Sequence, residues 1–147
     1  MKRVLMMLLC ALLAPCVSLA QQAPQPALGT TKLTTGIHVI TAEVAATAHS
    51  RMVGLMMRER LMPNHGMVFM FEDKSHHCFW MRNTLIPLSI AFIDDDGTIV
   101  SIADMAPKSE ASTCPPRPVR YALEMDQGWF AKRGVSTGKK ISGLPPR

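Results

Sequence analysis

The sequence predicts a mostly β, single-domain fold, a β-sandwich of jelly-roll type or a barrel, with one or two short helices. Three observations predict it. Short runs rich in Val, Ile, Thr and Phe recur along the chain, separated by Gly-, Pro- and Asp-containing turn signals. The length of 147 residues suits one domain and leaves no room for a separate cofactor domain. Apolar residues make up 48% and charged residues 18%, a globular composition rather than a disordered one.

Each element has its own signal. Thr30 to Ala46, rich in Thr, Val and Ile and broken by Gly36, reads as two strands. Met52, Leu55, Met56 and Glu59 recur at spacings of three and four, which predicts a short helix over Ala48 to Arg60. Pro63-Asn64-His65-Gly66 is a turn. Met67 to Phe71 and His77 to Asn83 read as strands. Ser89 to Ile93 and Thr98 to Ala103 flank Asp94-Asp95-Asp96-Gly97, a solvated hairpin turn. Pro107 to Pro118 holds four prolines and reads as an extended loop. Val119 to Met125 is a strand, Trp129 to Val135 a helical turn ending near Gly134, and Lys139 to Ile141 a last strand.

The N-terminus carries an address. Lys2 and Arg3 precede the apolar run Val4 to Ala14, and Ser18-Leu19-Ala20 is a small-x-small cleavage site. Residues 1–20 therefore read as a signal peptide, 21–30 as a flexible lead-in and 31–147 as a single β-rich domain, placed in the periplasm or secreted. Removing residues 1–20 leaves 14 basic against 11 acidic residues, a formal charge of +3. That mild excess gives no support to a nucleic-acid partner. No further run is long and apolar enough to span a membrane. Cys78 and Cys114 remain as an even pair in an oxidising compartment, which predicts a disulfide.

Several chemistries find no motif. There is no G-x-S-x-G elbow, no H-E-x-x-H and no C-x-x-C, and Gly134 to Lys139 is one residue short of a phosphate loop. The acidic turn lacks the alternation and distal Glu of a calcium loop. The reading calls for no cofactor and no metal.

Two constellations remain. On a helix, Arg51, Gly54 and Arg58 would share one face, two guanidiniums flanking a notch without a side chain. Guanidinium pairs suit carboxylate or phosphate, and equally they suit internal partners such as Glu124, Asp126 or Asp104. The second constellation is soft donors: nine methionines after residue 20, with His76, His77 and Cys78 consecutive. Such donors suit copper. Met is also a flexible core filler, and the expected role of Met56, Met67, Met81 and Met125 is core packing.

Five segments in order resemble one family. They are Arg51-Met52-x-Gly54-Leu55-Met56-x-Arg58, Gly66-Met67-x-Phe69-x-Phe71, Phe79-Trp80-Met81-Arg82-Asn83-Thr84-x-x-Pro87-Leu88, Phe92-Ile93-x-x-x-Gly97 and Leu123-Glu124-x-x-x-Gly128. Together they are similar to the domain of unknown function 192 family, from about Thr35 to Ile141. The resemblance implies a mostly β sandwich with a short helix, often exported, and supplies no function. Ser89 stands where many similar chains carry Asp, so no essential carboxylate is implied there.

Glu124 is a lone charge in a strand that should be partly buried, and it needs a partner. The expected partner is Arg51 or Arg58, in a polar cluster of Arg51, Gly54, Arg58, Asn83 and Glu124. The preferred function is a non-catalytic binding or accessory module for a small polar or anionic ligand or an envelope partner. The alternatives are a hydrolase using Glu124 beside Arg51 and Arg58, and a copper-handling protein using Met and His donors. A hydrolase requires a pocket holding Glu124 with its pKa raised. A copper protein requires converging Met and His donors.

Overall fold

β1 (Thr30–Thr35) and β2 (His38–Ala45) form an antiparallel hairpin with Leu33 opposite Ile40, turning at Gly36. In the computed structural model, which describes residues 23–146, β2 is then followed by a crossover through α1 (Ala48–Val53). The predicted signal peptide, residues 1–20, lies outside the described residues. The crossover leads to β3 (His65–Ser75), which runs parallel to β2. β4 (Leu88–Ile93), β5 (Ile99–Met105) and β6 (Val119–Asp126) complete the sheet. The strand order is β1-β2-β3-β6-β4-β5, so β6 inserts between β3 and β4, antiparallel to both. A 3-10 turn covers Ala131–Arg133. The fold is mostly β: one six-stranded mixed sheet that does not close into a barrel.

Both faces of the sheet are covered. Leu33, Ile40, Val68, Leu123, Trp129 and Phe130 pack on one face. Leu55, Met67, Phe69, Ile90, Phe92 and Ala122 pack on the other. The alternation of strand side chains sends Leu123 and Met125 to the first face and Ala122 and Glu124 to the second.

The structure corrects several expectations. α1 stops at Val53, not Arg60. It starts well, because Thr47 and Ser50 form a reciprocal capping box at 3.0 Å in both directions. It stops because Gly54 adopts φ +51°, a left-handed geometry that ends the helical ladder. A Cβ on Gly54 would also lie 3.2 Å from the Phe69 ring. Arg51 and Arg58 therefore do not share a helix. Residues 77–83 form no strand; Phe79 makes an isolated bridge with Thr113 beside the Cys78–Cys114 disulfide. Residues 23–29, expected as a flexible lead-in, dock on the domain: Gln25 is buried, and its Nε2 donates to the Ser50 and Gly54 carbonyls at 3.2 and 2.8 Å.

The hairpin between β4 and β5 turns at Asp94 to Gly97 as expected, yet its carboxylates are engaged. Lys74 and Arg117 both contact Asp94, and Arg120 Nε donates to Asp95 at 2.7 Å. The two cations hold the Asp94 carboxyl well below the usual carboxylate range. Residues 138–142 form no named strand, but they reach both edges of the sheet. Ser142 pairs with Thr34 of β1, and Lys140 pairs with Thr98 just before β5.

Candidate functional site

The second face of the sheet carries a cleft of about 250 Å³. Its floor is β6 and β3. Its walls are the end of α1 with the turn after it, and the segment around the disulfide. Glu124 sits on the floor, opposite Met67 on β3 and Ile90 on β4. Only 4% of it is exposed. Among the described residues no hydrogen bond or ion pair engages its carboxyl. Burial without a compensating partner pushes its pKa up to about 8. The carboxyl is therefore mostly neutral at pH 7.

The walls are apolar and aromatic. Phe69 and Phe79 meet edge to face at 4.9 Å, and Phe79 meets Phe92 at 5.8 Å. Trp80, half exposed, and Met52 form the rim. Thr84, 5% exposed, also lines the cleft; its backbone bonds to Met81 and Lys108, while its hydroxyl has no partner among the described residues. Two buried polar side chains thus border one cleft without partners of their own. Thr84 lies outside the expected cluster, and no charge, periodicity or motif spacing singles it out in the sequence.

The expected cluster forms only in part. Arg51, Gly54 and Glu124 line the same cleft. The expected ion pair with Glu124 does not form. Arg51 Nη1 donates to the Ala46 and Met70 carbonyls at 2.6 and 2.9 Å, and the guanidinium lies over Phe71. Arg58 turns away and pairs with Glu43 at 3.0 Å, while its buried Nε has no acceptor among the described residues. Asn83 contacts Met56 Sδ at 3.9 Å. The reason is the early end of α1: beyond Gly54 the chain changes direction, and the seven-residue spacing no longer aligns the two arginines.

The soft donors are placed in separate roles among the described residues. Cys78 is bonded to Cys114 with their Cα atoms 4.2 Å apart, as expected, so it offers no thiolate. His77 stacks on Phe71, with ring centroids 3.6 Å apart. Met67, Met81 and Met125 are buried in the core, and Met56 is half-buried at the cleft. Among the described residues no group of three His, Cys, Asp or Glu side chains is placed to hold a metal. No described helix is long and apolar enough to cross a membrane.

Sheet order and cleft define a class: a small, mostly β domain with a carboxyl-floored, aromatic-walled cleft on one face. The chain belongs to the family DUF192, described as an uncharacterized ACR, whose model matches residues 30–143. It is similar to a Sinorhizobium meliloti 1021 protein of known structure that carries a provisional description as a transcription regulator. The two share 36% identity with a TM-score of 0.76, over 81% of this chain and 97% of that one. A Novosphingobium aromaticivorans DSM 12444 protein of unknown function is similar at 33% identity and a TM-score of 0.72, over 77% of this chain and 83% of that one. No curated protein matches the chain.

Proposed function

We propose that this protein is an exported binding module that seats one small ligand in the Glu124 cleft. The observation that carries the reading is a carboxyl left without a partner on the floor of an open, apolar-walled pocket. Burying an unpartnered polar group costs free energy that a fold can avoid with Leu or Met at the same place. Its presence makes sense if a ligand supplies the missing hydrogen bonds. A volume of about 250 Å³ falls just below the range for drug-sized molecules, roughly 300–1,000 Å³. The ligand is then no larger than a single ring or short chain with one polar head. The export half of the reading is supported by the N-terminal sequence and by a disulfide that suits an oxidising compartment.

A thermal-shift screen of the protein lacking residues 1–20, against small amines, alcohols and carboxylates, tests this reading. A true ligand at 100 times its dissociation constant stabilises by about 2.7 kcal/mol. Its effect should be lost in a Met52→Trp variant, which enlarges an exposed rim residue. Hits that survive this change bind elsewhere and count against the cleft.

One observation favours the hydrolase reading: the raised pKa makes Glu124 a proton donor at neutral pH inside a pocket. Turnover of small esters or amides that Glu124→Gln abolishes would establish it. Binding without turnover establishes the module.

A further inference from the structure

We propose that the cleft is an amine site, in which a protonated amino group lies between the Glu124 carboxylate and the Thr84 hydroxyl while an apolar body rests on the aromatic walls. This assignment rests on the cleft being a ligand site at all, and it goes further by naming the head group. Its basis is the inventory of unpartnered polar atoms. Glu124 offers two carboxyl oxygens and Thr84 one hydroxyl oxygen, both side chains more than nine-tenths buried and both bordering the same cavity. Each of these oxygens can accept a hydrogen bond. An ammonium group carries three donors and no acceptor, so it matches that set. The rings of Phe69, Phe79 and Trp80 line the same cavity, and aromatic rings attract cations, as Arg51 over Phe71 and Arg82 over Trp80 show.

An anionic head matches poorly. An anion would lie beside the Glu124 carboxyl, which repels it when ionised, and Arg51 has its Nη1 committed to the Ala46 and Met70 carbonyls and its Nη2 at 3.9 Å from Glu72. The groups facing Glu124 are few. β3 presents Met67, β4 presents Ile90, the disulfide segment presents Thr84 and the bonded Cys78, and α1 presents Arg51 as the single charged side chain on the lining. Arg51 in turn has Glu72 at 3.9 Å.

Amine binding is then coupled to a proton. The free protein holds Glu124 neutral at pH 7, and the cation binds the ionised form, so one proton leaves Glu124 for solvent as the amine enters. Three matched probes test this by calorimetry between pH 6 and 9: phenethylamine, phenethyl alcohol and 3-phenylpropionate. Phenethylamine should bind about tenfold more tightly for each pH unit gained up to pH 8, then level off. Below pH 7 it should release close to one proton, read from the dependence of the heat on buffer ionisation. In Glu124→Gln the slope and the proton release should vanish. Thr84→Val should weaken the amine severalfold while leaving the slope intact.

Tighter binding of the alcohol or the carboxylate than of the amine at pH 8 would overturn the amine assignment and leave the cleft as a site. Binding of none of the three would remove both readings. Amine affinity unchanged in Glu124→Gln would also sink the assignment.

Discussion

Replacing Glu124 with Gln removes a titrating proton from the core while keeping shape and hydrogen-bonding capacity. The folded protein holds this carboxyl protonated up to about pH 8 because burial disfavours the charged form. The unfolded chain releases the proton near the ordinary value of 4.5. Between these values the native state binds one proton more than the unfolded state. Stability therefore falls as pH rises, by about 1.4 kcal/mol per pH unit. Across the whole window from 4.5 to 8 the loss from this residue is roughly 4 to 5 kcal/mol, an amount comparable to the total stability of a small domain. The contribution is fully present below pH 4.5 and exhausted above pH 8. The assay is urea denaturation of wild type and variant at pH 5, 6, 7 and 8.5. Glu124→Gln should be close to wild type at pH 5 and more stable by several kcal/mol at pH 8.5. A difference that stays constant with pH would refute the reasoning, because it would show that Glu124 keeps its ordinary pKa through a partner or water.

Three further outcomes are expected. Opening the Cys78–Cys114 bond by a double Ser substitution should cost up to about 4 kcal/mol by loop entropy, measured as a lower denaturation midpoint, and the unreduced protein should show no free thiol to labelling. Gly66→Ala should destabilise by about 3 kcal/mol or more, because the new Cβ would lie 2.3 Å from the Glu124 carbonyl oxygen and 2.4 Å from Met125 Sδ; thermal unfolding checks this. Arg58→Met should cost about 1 to 3 kcal/mol, between an exposed and a buried pair, because Glu43 keeps the Leu28 amide as a donor at 2.8 Å when the guanidinium is gone; a double cycle with Glu43→Gln measures the pair itself.

Local signals in the sequence carry the local structure. The β1–β2 hairpin around Gly36, the Asp94 to Gly97 turn and the β6 strand follow from side-chain alternation and turn chemistry that act over a few residues. The predicted helix runs too long because spacings of three and four continue through Met56 and Glu59, while the backbone is already broken at Gly54. The long-range pairings are not legible. β2 is HVITAEVA and β3 begins HGMVFMF, neither of them the continuous Val/Ile/Leu run that marks parallel strands, so nothing local announces a parallel neighbour. The parallel β2–β3 pairing stays hidden until the crossover is seen. The candidate site shows the same division. Glu124 stands out as the one charge in the run Tyr121 to Met125 of a strand that should be partly buried. Of its two expected partners, Arg58 is lost to Glu43 on a distant strand and Arg51 to the Ala46 and Met70 carbonyls, contacts that no spacing rule encodes.

The bridging segment at residues 138–142 has a consequence for how the sheet's margins are kept from other chains. Strand edges present unpaired N–H and C=O groups and invite pairing with other chains. Here Thr34 exchanges two backbone hydrogen bonds with Ser142, at 3.0 and 2.8 Å, and Ile99 receives similar cover from Lys139 and Gly138. These covers come later in the chain than all six strands. Until the chain beyond Gly134 is in place, Thr34 and Ile99 lack these partners, so a chain truncated there should self-associate where the full chain does not.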